Sequence, residues 1–191
     1  MKYFILIVSF LFCEFTNAQF NSNVYWTEQT AMSANDIIYF NPKKLLAWND
    51  FKGIPVENSK AVAITSSGFG YKADIKNTGS VGQINIGVYC YFNKNTSWVK
   101  SGKNTDYILG HEQNHFNISF VAAKNFIEKL KSASFTRSNY NEILSRIYKE
   151  SFNIMNTMQD DYDHQTKNGQ DRNSQNLWND FLSKKISGFT N

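Results

Sequence analysis

The 191-residue chain has only two cysteines, two prolines and three histidines. Cys13 lies in the apolar run Phe4–Cys13, which leaves Cys90 alone in the remainder and excludes an intramolecular disulfide there. The position of Cys90 in the alternating stretch Ile84–Phe92 marks it as a small buried apolar residue. No long apolar run follows the first, so a second membrane anchor is excluded. Dense runs of Lys or Arg are also absent. Lys43-Lys44 and Lys184-Lys185 are isolated pairs, and the net charge of +4 is too dispersed for a nucleic-acid stripe. With 41% hydrophobic and 19% charged residues, the composition is that of a globular protein.

Lys2, the ten-residue apolar run and small Ala18 read together as a secretory signal peptide over 1–18, too short to span a bilayer. An exported protein, periplasmic or secreted and with no membrane anchor after signal removal, is expected. Residues 19–35 are polar and read as an irregular lead-in, and 36–191 as one domain. Asp36–Phe40 is a short strand, and Leu46–Gly53 turns the chain, with Trp48 and Phe51 as core anchors and Asp50 as a turn acceptor. Residues 61–75 and 81–92 are β-rich around the turn sequence Lys76–Ser80, which predicts an antiparallel hairpin. In 104–131, Ile108, Leu109, Ile118, Val121, Ala122, Phe126, Ile127 and Leu130 recur at helical spacing, with Asn104, Thr105 and Asp106 as N-cap candidates. A second helix is predicted from Asn139 to Met158 on the stripe Ile143, Ile147, Ile154 and Met158. After a loop, a short helix over Asn176–Ile186 closes the chain. Strands precede helices, so the fold class is α+β.

The first long helix contains His111-Glu112-Gln113-Asn114-His115. Four helical residues turn about 400°, so the two imidazoles stand about 40° apart and about 6 Å along the axis and can share one zinc ion. Glu112 is placed to act as general base on a water at that zinc, passing the proton to the leaving group. A shuffled chain of this composition would hold about 0.002 such motifs. A catalytic site needs a third protein ligand. Asp163 and His164, in the acidic turn after the second helix, are candidates, with Glu142 and Glu150 on that helix as alternatives. Glu128 would lie about 20 Å along the axis from His115 and is excluded. Tyr162 is either a hydrogen-bond donor to a developing oxyanion or a core aromatic.

The residues Trp48–Gly53, Ser97–Lys100, His111–Ile118, Tyr162, Asp163, Thr166, Gly169, Gln175 and Trp178 resemble a secreted bacterial family called "domain of unknown function 922". The resemblance spans about 38–186 and implies a zinc-dependent protease. Asn117 stands where that family has Asp, and Asn168 where it has His. Asp163 is retained, which favours it as the third ligand.

The resulting expectation is an exported, zincin-like zinc metallohydrolase, most simply a peptidase acting on a peptide or protein. Its ligands are His111, His115 and Asp163, with Glu112 as base and Tyr162 at the oxyanion. Strand 81–92 is expected beside the helix, offering an exposed edge to an extended peptide. The departures at Asn117 and Asn168 motivate an alternative: a non-catalytic exported binding module on a degenerate protease scaffold.

Overall fold

A computed structural model describes residues 20–78 and 81–187. The fold is mixed α+β, with the sheet preceding three helices. Strands β1 (Phe20–Trp26), β2 (Ile37–Tyr39), β4 (Ser67–Thr78) and β5 (Val81–Asn93) form a four-stranded sheet. β3 (Ala63–Ile64) and β6 (Trp98–Val99) make a small second one. The helices are α1 (Asp106–Ser132), α2 (Tyr140–Thr166) and α3 (Arg172–Ile186). The predicted signal peptide 1–18 lies outside the described residues, and no described helix is long and apolar enough to cross a membrane.

β5 is the centre of the sheet. Antiparallel β4 follows it from Ser67↔Phe92 to Thr78↔Val81. The opposite edge is shared by parallel β1, paired with residues 82–88, and antiparallel β2, paired with residues 91–93. The hairpin is therefore as the alternation predicts. Of the turn expected at Lys76–Ser80, residues 76–78 are strand, while Gly79 and Ser80 lie outside the described residues. Two expectations are corrected. The lead-in 19–35 is not irregular throughout, because Phe20, Val24 and Trp26 alternate as β1 and pair with Gly82, Ile86 and Val88. Nor is strand 81–92 an exposed edge: it is flanked on both sides, and the edges with no further partner strand among the described residues are those of β4 on one side and of β1 and β2 on the other.

On the inward face of β5, Ile84, Ile86, Val88, Cys90 and Phe92 are fully buried. Burial pushes the Cys90 thiol well above its ordinary pKa, so it is an inert small apolar group. α1 lies over this face and buries Phe116, Ile118, Phe120, Phe126 and Leu130. The Phe40 ring stacks on Phe120 at 3.9 Å and meets the edge of Phe116 at 5.1 Å. The predicted anchors hold at Leu46–Gly53, where Phe51 packs edge-on against Phe92 at 5.0 Å and Asp50 Oδ2 accepts from the Ala47 amide at 2.8 Å.

α2 runs eight residues past its predicted end at Met158. Its buried line is Leu144, Ile147, Ser151, Met155, Tyr162 and Thr166, whereas Ile154, read as part of the stripe, is exposed. Half of that line is polar or hydroxylated, which hides the period from a purely apolar count. The acidic stretch 159–163 is thus the last turns of a helix rather than a loop. α2 stops where Lys167 (φ 51°), Asn168 (φ 53°) and Gly169 (φ 79°) take left-handed conformations in succession.

Candidate metal centre

Thr105 caps α1 by accepting from the Ile108 amide at 3.3 Å, which puts the HExxH motif in the second and third turns. Adjacent β-structure ties those turns down. Thr65 Oγ1 donates to the Glu112 carbonyl at 3.1 Å, and Ser67 Oγ lies 3.4 Å from the His115 carbonyl and 2.8 Å from Ser119 Oγ. The two imidazoles meet at 4.9 Å and nearly perpendicular, with their Nε2 atoms 3.3 Å apart.

α2 supplies the third donor. Asp163 Oδ1 lies 3.2 Å from His111 Nε2 and 3.1 Å from His115 Nε2. The three atoms form a nearly equilateral triangle. Ligands about 2.0–2.1 Å from one tetrahedral ion stand about 3.3 Å from each other, which is the size of this triangle. Among the described residues, His111, His115 and Asp163 are the group that can hold a metal ion.

The hydrogen bonding fits a cation as well as the distances do. His111 Nδ1 is 2.9 Å from Gln175 Oε1, and His115 Nδ1 is 2.6 Å from Gln159 Oε1. An amide oxygen only accepts, so each neutral ring carries its proton on Nδ1 and turns a lone pair inward at Nε2. Two imidazole lone pairs and a carboxylate oxygen then converge with no proton among them, and buried Asp163 Oδ1 is left without a hydrogen-bond donor. A cation at the common point removes that conflict. Without one, protonation relieves it. Burial disfavours the charge on His115, but the Asp163 hydrogen bond and the Glu112 and Asp163 charges outweigh this and raise its pKa. Burial likewise raises the Asp163 carboxyl, but hydrogen bonds and charge from both histidines hold it well below the ordinary carboxylate range.

Glu112 is buried beside the triad, and its Oε2 has no hydrogen-bond partner among the described residues. Of the two readings of Tyr162, the structure places it as a core aromatic. It is fully buried, with its ring stacked on His111 at 4.7 Å. Its hydroxyl accepts from Gln175 Nε2 at 2.6 Å and donates toward the His111 carbonyl at 3.2 Å. Burial pushes the phenol well above its ordinary pKa. Tyr162 thus forms a floor under the His111 ring, with its hydroxyl engaged by Gln175 and the His111 carbonyl.

Behind Tyr162, the Trp178 ring packs edge-on at 5.3 Å. Thr166 Oγ1 donates to the Tyr162 carbonyl at 2.7 Å and accepts from the Gly169 amide at 3.2 Å. Gly169 needs to be glycine twice over: its φ is positive, and a Cβ there would come 3.3 Å from the His111 ring. The Gly169 carbonyl accepts from the Tyr107 hydroxyl at 2.6 Å.

No family model, curated protein or solved structure matches the chain.

The other ligand candidates lie away from it. His164 and Glu142 are exposed on α2, and Glu150 is taken by Arg146 at 3.0 Å and Lys129 at 3.5 Å. At neither departure from the resembled family does the side chain bond a triad side chain. Asn168 is exposed on the left-handed cap, a conformation that asparagine adopts more readily than most residues, and its amide donates to the Asp163 carbonyl at 2.7 Å. Asn117 bonds Gln113 and Asn114. Sequence reasoning assigned no role to Gln159, Asn114 or Asn179, and carried Gln175 only as part of the resemblance. Amides have no motif of their own, and the one available signal was the i, i+4 spacing of Gln175 and Asn179.

Proposed function

We propose that the chain is an exported zinc metallohydrolase of zincin-like fold, a peptidase related to the family it resembles. The observation that carries this is the Nε2–Nε2–Oδ1 triangle with a buried, unpartnered glutamate oxygen in the same helical turn. His111, His115 and Asp163 would hold zinc, which supplies a Lewis acid for a carbonyl and lowers the pKa of a water toward 7. Glu112 takes the proton of the attacking water and delivers it to the departing amine. The side chains of His111 and His115 are 8% and 14% exposed and that of Asp163 is 41%, so substrate approaches past Asp163. An extended peptide would add to the free edge of β4, whose Ser67 is tied to the motif, rather than to β5.

Zinc content of purified 19–191 after dialysis, beside a His115→Ala control, tests the site. One zinc per chain, lost in the control, supports it; none in either protein overturns it. With zinc established, peptide hydrolysis that survives Glu112→Gln unchanged would overturn the mechanism.

A further inference from the structure

The proposed zinc site requires a lone pair on His111 Nε2, and thus a proton on Nδ1. What enforces that tautomer lies outside the triad. The Leu46 backbone amide donates to Gln113 Oε1 at 2.8 Å. A backbone N–H can only donate, so this bond fixes the orientation of the Gln113 amide. Gln113 Nε2 then donates to Asn117 Oδ1 at 3.0 Å, and Asn117 Nδ2 to Asn114 Oδ1 at 3.0 Å. Asn114 Nδ2 continues to Asn179 Oδ1 at 2.6 Å. Asn179 Oδ1 also accepts from Gln175 Nε2 at 3.1 Å, and that turns Gln175 Oε1 toward His111 Nδ1. Each amide has one orientation that suits both neighbours. The series starts at a loop on the far side of α1 and ends on a ligand ring.

His115 is governed separately and locally. Gln159 Nε2 donates to the His115 carbonyl at 2.9 Å, which also has no freedom of direction, and leaves Gln159 Oε1 facing Nδ1.

We infer that Gln113, Asn117, Asn114, Asn179 and Gln175 form a directional amide relay, anchored by the Leu46 N–H, that holds His111 in the tautomer ready to bind metal. These are positioning residues, and the inference rests on the zinc reading above. It also explains Asn117. A carboxylate there accepts from Gln113 but cannot donate to Asn114, so Asn114 and then Asn179 must turn over, and Gln175 Nε2 faces an N–H in place of the Asn179 oxygen and keeps only the Tyr162 hydroxyl as acceptor. Asn179 differs, because its Oδ1 only accepts, twice, and an aspartate serves equally well.

The test compares Asn117→Asp with Asn179→Asp in the full mature chain. Both add one negative charge near a cation site, so charge alone would strengthen zinc binding in both. The relay predicts a split. Asn117→Asp weakens zinc, measured by competition with a chromophoric chelator, by about 10–100-fold, the usual scale for losing a partner of a ligand histidine. Asn179→Asp binds zinc at least as tightly as the wild type. In the metal-free chain, at a pH where both rings are neutral, imidazole ¹⁵N spectra show Nδ1–H at His111 in the wild type and Asn179→Asp but not in Asn117→Asp. Equal affinities and identical tautomers in the two variants overturn the relay. If Asn117→Asp fails to fold, half-buried Gln113→Glu reverses the same series from its first member and is expected to give the same loss. A wild-type chain that binds no zinc overturns the zinc reading, while the ¹⁵N spectra still decide the relay.

Discussion

The two ends of α1 are held by different physics. From Phe116 onward, the helix sits on rings and branched chains: Phe40 on Phe120, and Phe69 and Tyr71 on Phe126. Burial of that kind is non-directional and scales with area. Before Phe116 the helix is held by hydroxyls, amides and imidazoles that cross to the segment between β3 and β4, to β4, α2 and α3. There it matters which atom donates. The aromatic end should tolerate any residue of suitable volume, whereas the polar end should fail when a single N–H is exchanged for an oxygen of the same size.

The largest effect is expected from such an exchange in reverse. Glu112→Gln keeps the volume and removes the base, and hydrolysis should fall about 10²–10⁴-fold with zinc retained, measured as turnover against metal content. At the other end, Phe120→Ala should cost about 3–5 kcal/mol in denaturant unfolding, while a leucine there should cost much less. If the leucine proves as damaging as the alanine, the aromatic end is not governed by volume. Gln159→Leu keeps most of the bulk near His115 but removes its Nδ1 acceptor, and zinc affinity should weaken about 10–100-fold by chelator competition.

The smallest effect concerns pH and separates the metal-free from the loaded chain. With His115 raised, its stabilising contribution is fully present below the unfolded value of about 6.5 and is lost as pH rises through the folded value. With Asp163 depressed, its contribution is present above about 3.9 and is lost as pH falls through the folded value. Thermal melting of the metal-free chain should therefore peak between about pH 4 and 6.5 on their account. Zinc affinity should run the opposite way across the histidine range, falling on acidification because the ligands must be deprotonated. Parallel pH profiles for the two forms would count against a proton and a metal competing for one point.

The legible parts of the molecule are those where pattern and partner lie in one segment. α1 and its two histidines could be read because apolar period and motif share a single helix, and the β4–β5 hairpin because both strands flank one turn. β1 was missed since its partner, β5, is some sixty residues away and joins it in parallel, with no turn between to announce the pairing. The end of α2 was missed because its inner line continues through Tyr162 and Thr166 rather than through aliphatic residues. That error made Asp163 look like a loop carboxylate among several. Only helical placement separates it from exposed His164, one residue further along. The amides around the site were illegible for a plainer reason: asparagine and glutamine are frequent in this chain, and their role depends on orientation.

α1 and α2 form an antiparallel hairpin joined through residues 133–139, with Glu150 near Lys129 and Gln159 near His115. The triad sits at the open end, within the first ten residues of α1 and three residues before the end of α2. A metal bound there acts as a clasp opposite a hinge. It would join α1 to α2 across their open end. Its removal should be felt locally, as faster amide exchange at 106–115 and 159–166, while the hinge end around Phe126 and Ile147 keeps its protection.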